Sequence, residues 1–163
     1  MIMTITRKDL DTLYVWAKQT NFSLKKAPTT EGYTNKDIFI SWLKGVGKTV
    51  NIRKKLMTDE VYRIFENEDI LYATYSVFTE GTILKPHRDP NVYREPYKRI
   101  QVPLVIPHKE KCYMTWLGEK IYWEEGVPQV FPVMNYIHDG ANLSDYPMEF
   151  LMIDVKKNAF VEI

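Results

Sequence analysis

The spacing of hydrophobic residues changes near Leu71. Upstream of this point, apolar residues recur at intervals of three and four, which is the period of an amphipathic helix. Downstream, short runs rich in β-branched and aromatic residues are separated by glycine or proline, a pattern typical of short strands and turns. We therefore expect a single domain in which residues 1–70 form a helical or mixed N-terminal cap and residues 71–163 form a β core.

Two segments of the N-terminal part carry helix signals. Thr6 is followed three residues later by Asp9, a weak capping box ahead of the first apolar stripe. The second helix is expected over about residues 59–66. The stretch 37–43 is rich in apolar residues, and its pattern leaves both helix and strand open. The two apolar stripes consist of Leu10, Leu13, Tyr14 and Ala17, and of Val61, Ile64 and Phe65.

The C-terminal part reads as a series of short strands. Many short strands behind a few N-terminal helices favour a mainly β jelly roll, cupin-like in shape, with a helical cap. The predicted strands are Leu71 to Phe78, Arg99 to Ile106, Tyr113 to Trp116, Lys120 to Trp123, Gln129 to Phe131 and Glu149 to Val155.

Composition excludes several classes of protein. The formal net charge of +1 over 163 residues gives no electrostatic reason to expect nucleic acid or an anionic membrane as partner. No apolar run approaches the ~20 residues of a membrane helix, and the first residues lack the apolar stretch of a signal peptide. The single cysteine, Cys112, rules out an internal disulfide and suits a reducing compartment. We expect a soluble cytoplasmic protein.

The chemistry of the chain is concentrated at His87-Arg88-Asp89. An imidazole and a carboxylate two residues apart on an extended segment can face the same ion, because side chains alternate along a strand. With His138 from a distant segment, the set becomes two histidines and one carboxylate, the facial arrangement typical of non-haem Fe(II) oxygenases. Taken alone, His87 is better explained as a surface or core histidine in a Pro-flanked turn, and Asp89 also fits an Asx-type turn before Pro90.

Two other features are expected to carry no function. Residues 45–49 contain Gly-Lys-Thr, but a phosphate-binding loop needs a glycine where this chain has Trp42, and a polar segment follows in place of an apolar helix. His108 lies in a polar turn between predicted strands, where a histidine is usually exposed.

From Tyr75 to Val155 the chain resembles the aspartyl/asparaginyl β-hydroxylase family of Fe(II)- and 2-oxoglutarate-dependent dioxygenases. The matching segments follow the order of the family with similar gaps, over roughly the C-terminal half. They are Gly81 to Asp89, Arg99 to Pro107, Cys112, Trp123 to Gly126, Val130-Phe131, His138, Asn142 and Leu151 to Val155.

The resemblance implies a double-stranded β-helix in which His87, Asp89 and His138 bind Fe(II). It also implies 2-oxoglutarate as cosubstrate, bound by Arg99 and hydrogen-bonded by Ser76. Gln101 stands where many members have a histidine, and its amide can still donate a hydrogen bond.

One position departs from the family pattern. Members usually have an arginine about ten residues after the distal histidine, where its guanidinium binds a cosubstrate carboxylate. Here that position is Met148. Arg99, Lys98 or another group has to compensate, or cosubstrate binding is weakened.

The implied function is hydroxylation of an amino acid or of a peptidyl Asp/Asn-like side chain, with O2 and 2-oxoglutarate consumed. The alternative is a non-catalytic metal-binding or assembly module that retains the fold with altered cosubstrate binding, and a second is an iron enzyme with another cosubstrate. Four residues after the metal motif are candidates for a pocket that accepts a carboxylate-bearing substrate, although a solvated loop explains them equally well. They are Arg88, Tyr93, Arg94 and Tyr97.

Overall fold

A computed structural model describes residues 4–28, 32–46, 49–90, 92–93 and 95–163. Within these residues the chain contains two α-helices, thirteen strands and two short 3-10 turns. Lys54–Leu56 and Lys109–Lys111 form the 3-10 turns. The strands are β1 (Thr4–Ile5), β2 (Lys25–Lys26), β3 (Ile38–Val46), β4 (Val50–Ile52), β5 (Ile70–Phe78), β6 (Ile83–His87), β7 (Tyr97–Val105), β8 (Cys112–Trp116), β9 (Glu119–Tyr122), β10 (Gln129–Phe131), β11 (His138–Asn142), β12 (Met148–Lys156) and β13 (Phe160–Val161).

Both predicted helices are present, as α1 (Arg7–Gln19) and α2 (Asp59–Phe65). The capping box of α1 is complete. The Thr6 hydroxyl accepts from the Asp9 amide at 3.0 Å, and the Asp9 carboxylate accepts from the Thr6 amide at 3.0 Å. These bonds satisfy amides that a helix leaves unpaired at its first turn.

The large sheet has the strand order β10-β7-β12-β5-β3-β2, and β4 also pairs with β3. All of these pairings are antiparallel. The ambiguous segment 37–43 belongs to β3, which pairs with β5 in the middle of the sheet. Residues before 70 therefore supply three strands of this sheet as well as the two helices, while β1 pairs in parallel with β13.

The small sheet has the order β6-β11-β8-β9 and is also antiparallel. Neither sheet is closed into a barrel. The mainly β jelly-roll fold with N-terminal helices, predicted from the strand pattern, is confirmed.

Alternation along the central strands divides the core in two. On β12, Leu151, Ile153 and Val155 pack in a cluster with α1 and α2 on the outer face of the large sheet. Met148 and Phe150 point the other way and pack in a second cluster with residues of the small sheet. The space between the two sheets is therefore lined by alternate residues of β5, β7 and β12, and it holds the candidate site.

Candidate metal centre

The three predicted metal ligands meet at one end of the small sheet. His87 and His138 are direct partners in the antiparallel pairing of β6 with β11, and their ring centroids are 4.5 Å apart. Asp89 follows two residues after His87, and its amide donates to the Val133 carbonyl at 3.1 Å. Asp89 Oδ1 lies 3.0 Å from His138 Nε2 and 3.5 Å from His87 Nε2. One ligand atom from each residue lies within 4.8 Å of the others, so a single ion can contact all three.

Backbone carbonyls fix the orientation of both imidazoles. His87 Nδ1 is 2.6 Å from the Lys85 carbonyl oxygen, and His138 Nδ1 is 3.1 Å from the Tyr136 carbonyl oxygen. A carbonyl only accepts hydrogen bonds, so these contacts favour the tautomer with the proton on Nδ1. In that tautomer each Nε2 would offer a lone pair to a metal, the arrangement that metal-binding histidines use widely.

Arg99 forms an ion pair with the candidate ligand Asp89. Its Nη1 donates to Asp89 Oδ2 at 2.6 Å, on the oxygen that does not face the histidines. Its Nε and Nη2 donate to the two oxygens of Asp154 at 2.7 and 3.1 Å, a bidentate pair with a carboxylate that is only 2% exposed. Burial raises the pKa of Asp89, but Arg99 and the two histidines outweigh it and hold that pKa far below its usual range. Asp89 is therefore ionised, as a metal ligand must be.

Asp154 had no role in the sequence-based prediction. It lies in the apolar run Leu151-Met152-Ile153-Asp154-Val155. A single carboxylate inside such a run could have indicated a buried ion pair, because buried carboxylates are almost always paired. Tyr93 donates from its hydroxyl to Asp154 Oδ2 at 2.5 Å. Burial and Asp154 raise the pKa of Tyr93, so this donor stays protonated.

A cavity of about 260 Å³ runs from the metal ligands into the space between the sheets. It is lined by all three ligands and by each predicted cosubstrate contact, namely Ser76, Arg99 and Gln101. The Ser76 and Thr74 hydroxyls are 2.9 Å apart and buried. Gln101 is 8% exposed, and its Oε1 has no hydrogen-bond partner among the described residues. A buried acceptor without a partner is unusual, and at a cavity wall it suggests that a ligand completes it.

Comparison with known proteins identifies the family of the chain. The family model described as aspartyl/asparaginyl beta-hydroxylase matches residues 7–158. The chain belongs to the aspartyl/asparaginyl β-hydroxylase family. The match includes the N-terminal part, for which the sequence alone suggested no relationship. No curated protein matches the chain at a significant level.

Solved structures with the same fold share little sequence with this hydroxylase-family chain. An oxidoreductase of the 2OG-Fe(II) oxygenase family from Burkholderia pseudomallei has a TM-score of 0.59 at 11% identity, covering 91% of this chain and 80% of its own. A predicted oxalate decarboxylase from Thermotoga maritima has a TM-score of 0.55 at 11% identity, covering 83% and 94%. A cupin-like protein from the same organism has a TM-score of 0.50 at 10% identity, covering 84% and 83%. At these identities the likeness shows the fold alone.

Met148, where family members usually have an arginine, lies at the start of β12 and lines the cavity. It is 3% exposed and packs in the inner hydrophobic cluster. Among the other described lining residues, Arg99 is the one arginine or lysine, and both of its partners are carboxylates. The structure thus brings the three predicted ligands together, while position 148, where the resemblance leads us to expect an arginine, carries no charge.

A groove of about 790 Å³ adjoins the cavity and shares Tyr33, Tyr72, His87, Asp89 and Arg99 with it. Tyr33 stacks on His87 with ring centroids 4.5 Å apart. Three of the four residues predicted to line a substrate pocket also line this groove, and Arg94 lies outside the described residues. They are Arg88, Tyr93 and Tyr97.

The structure also shows the surroundings of His108 and of the Gly-Lys-Thr segment, for which no function was expected. His108 is exposed beside the 3-10 turn Lys109–Lys111 and is not part of the metal-ligand group. Gly47 and Lys48 of the Gly-Lys-Thr segment lie outside the described residues, and the flanking strands β3 and β4 pair as a hairpin. A phosphate-binding loop instead joins a strand to a helix.

No helix among the described residues is long and apolar enough to cross a bilayer.

Proposed function

We propose that this protein is an Fe(II)-dependent hydroxylase that uses a 2-oxo acid as cosubstrate and acts on an amino acid or on a peptidyl side chain resembling Asp or Asn. The observation that carries the proposal is the convergence of His87 Nε2, His138 Nε2 and the Asp89 carboxylate within 4.8 Å. Two imidazoles and one carboxylate on one side of an ion are the donor set that non-haem Fe(II) oxygenases use. 2-Oxoglutarate is the cosubstrate that the family resemblance implies.

The residues present fit the metal. With the proton on Nδ1, both histidines would offer Nε2 to the metal, and Asp89 offers Oδ1 while Arg99 occupies Oδ2. Iron bound there would supply O2 activation, so that one O2, one 2-oxo acid and one substrate C–H group would give CO2, the shortened carboxylic acid and the hydroxylated substrate. The chain itself holds the ligand carboxylate ionised, fixes the imidazole tautomers and surrounds the centre with buried side chains that restrict water.

The cavity and the groove provide separate binding sites for the cosubstrate and the substrate. We assign the cosubstrate to the cavity, with Ser76 and Gln101 as hydrogen-bonding contacts and Arg99 beside its metal-binding end. We assign the substrate to the groove, because it borders two of the candidate ligands, His87 and Asp89. Arg88 is exposed at this groove and offers a positive charge to a substrate carboxylate.

The test is a measurement of metal binding followed by turnover of the 2-oxo acid. Under anaerobic conditions one equivalent of Fe(II) should bind per chain, and addition of O2 with a 2-oxo acid should release CO2. His138→Ala should lower metal affinity by at least about tenfold, since it removes one of three ligands. The matched control is His108→Ala, which removes the exposed histidine outside the site and should leave metal binding unchanged.

A second candidate is a non-catalytic module that binds the metal and retains the fold. The apolar Met148 at the cavity wall and the pairing of Arg99 with two carboxylates favour it, because both remove cations from the cosubstrate cavity. Stoichiometric Fe(II) binding without CO2 release from any 2-oxo acid would support this module and contradict the hydroxylase.

A further inference from the structure

We infer that the cavity beside the metal centre binds a 2-oxo acid with one carboxylate and an uncharged tail in preference to a dicarboxylate such as 2-oxoglutarate. This preference rests on the proposed function, because it concerns the cosubstrate of the same centre. Three observations support the preference: the charges of the lining residues, the partners of Arg99, and the side chains that line the cavity along β7 and β12.

The lining is poor in positive charge. Its carboxylates are Asp89, Asp139 and Asp154, and Arg99 is the one arginine or lysine among its described residues. With neutral histidines, a bound divalent ion makes the lining electrically neutral overall. A ligand carboxylate that chelates the metal is stabilised by the ion itself. A second carboxylate, at the other end of the ligand, adds a negative charge that no lining group offsets.

The positive charge of Arg99 is already paired with two carboxylates of the protein. Each of its three guanidinium nitrogens already donates to a carboxylate, two to Asp154 and one to Asp89. One positive charge therefore faces two negative charges. A dicarboxylate would have to displace Asp154, which is 2% exposed and would be left buried without its cation.

Beyond the metal, the cavity wall changes from charged to neutral side chains. Arg99 and Asp154 are direct partners across β7 and β12, and two residues further along the same strands Gln101 is the partner of Met152. Thr74 on β5 is the other partner of Met152. Two strand residues span about 7 Å, which is the depth reached by the tail of a short 2-oxo acid. At that depth the polar groups are the Thr74 and Ser76 hydroxyls and the Gln101 carboxamide, whose Oε1 has no partner among the described residues.

Further along β12 from Asp154, the cavity wall is apolar. Met148 is 3% exposed there and belongs to the inner hydrophobic cluster, together with other lining residues. A carboxylate against this wall would lose its hydration without gaining a cation, which costs more free energy than burial of an uncharged ester or branched alkyl tail. The apolar residues that line this part are Ile38, Phe78, Trp123, Met148 and Phe150.

The experiment compares ligands of matched shape on the Fe(II)-loaded protein without O2. 2-Oxoglutarate, its 5-methyl ester and 4-methyl-2-oxovalerate are each titrated, and binding is followed by the visible absorption of the iron–2-oxo acid complex and by calorimetry. We expect the two monocarboxylates to bind at least about tenfold more tightly than 2-oxoglutarate, because only their tails match the uncharged wall.

Variants at two positions test the cause of the preference. Met148→Arg places a cation at the apolar end and should shift the ratio of affinities towards 2-oxoglutarate by at least about tenfold. Met148→Leu keeps the volume and the absence of charge, and should keep the wild-type ratio. Gln101→Leu should weaken binding of the methyl ester, which accepts hydrogen bonds, more than binding of 4-methyl-2-oxovalerate. Wild-type titrations decide the question even where the arginine variant fails to fold.

The outcomes separate this preference from the proposed function. Tighter binding of 2-oxoglutarate than of either monocarboxylate overturns the preference and leaves the hydroxylase standing. Binding of Fe(II) with no binding of any 2-oxo acid overturns the preference and favours the non-catalytic module. Failure to bind Fe(II) overturns the proposed function and the preference together.

Discussion

At the scale of single residues, Arg99 on β7 of the large sheet contacts Asp89 of the candidate metal centre. It binds the ligand Asp89 and the buried Asp154, which lie on different elements and are 65 residues apart in the chain. Together the three side chains carry a net charge of −1, and Arg99 supplies the only cation that either carboxylate contacts in this group. Removal of one partner from a buried ion pair is costly because it leaves the other charge without compensation.

A double-mutant cycle measures this dependence. Arg99→Gln should lower the free energy of unfolding by about 3–5 kcal/mol, because Asp154 stays buried without its cation. Arg99→Gln combined with Asp154→Asn should recover a large part of the loss, since both charges are then absent. Urea unfolding of the wild type, both single variants and the double variant gives the coupling energy. Additive losses in the double variant would contradict the pairing.

Lys44 is a second buried charge, on β3, with 1% of its surface exposed. Its ammonium group donates to the Phe65 carbonyl and, at 3.0 Å, to the Asn67 carbonyl, at the C-terminal end of α2. Burial lowers the pKa of Lys44 to about 8, and the nearby Glu66 and Glu68 only partly oppose it. The folded protein therefore binds fewer protons than the unfolded chain between about pH 8 and the ordinary lysine pKa of 10.5.

This difference predicts the sign of a pH effect on stability. Because the unfolded state binds more protons in that window, the contribution of Lys44 to stability rises as the pH increases from about 8. We expect the unfolding free energy of the wild type, relative to Lys44→Met, to increase between pH 8 and pH 10, by no more than about 1.4 kcal/mol per unit of pH. Denaturant unfolding at several pH values provides the measurement, and a flat difference would contradict the lowered pKa.

At the scale of elements, Asn142 joins the end of β11 to two turns. Its amide donates to the carbonyls of Phe78 at 2.9 Å and Tyr146 at 2.8 Å, and its Oδ1 accepts from the Ser144 hydroxyl at 2.6 Å. The residue has no exposed surface. β11 begins with the candidate ligand His138, so these bonds also fix the position of the strand that carries His138.

We expect Asn142→Ala to lower the free energy of unfolding by at least about 3 kcal/mol, because each buried group left without a partner costs about 1–3 kcal/mol. Asn158→Ala, at an exposed turn, is the matched control and should change stability by less than about 0.5 kcal/mol. Thermal and urea unfolding measure both. Equal effects of the two substitutions would show that the hydrogen bonds of Asn142 do not hold the strand.

The elements also show which features a sequence can predict. The capping box of α1 and the pairing of an imidazole with a carboxylate two residues on depend on local spacing, and both were predicted. β3 was ambiguous because a short apolar run fits a buried strand as well as a helix, and its pairing with β5 decides between them. The Arg99–Asp154 pair depends on the register of β7 against β12, which local patterns do not contain.

At the scale of the whole molecule, the three candidate ligands come together only when the small sheet has formed. His87 and His138 are 51 residues apart in the chain and become neighbours through the pairing of β6 with β11. A metal that needs all three ligands therefore binds the folded state far better than the unfolded chain. Such selective binding stabilises the folded state by mass action.

We therefore expect Co(II), as a redox-stable substitute for Fe(II), to raise the thermal unfolding midpoint in proportion to the logarithm of its concentration above the dissociation constant. At a hundredfold excess over that constant the stabilisation should be about 2.7 kcal/mol. His138→Ala should abolish most of the shift, whereas His108→Ala should keep it, because His108 is exposed and outside the ligand group. Calorimetric scans of the three proteins with and without Co(II) make the comparison. An equal shift in all three would mean that the metal binds elsewhere, and the candidate centre would lose its main support.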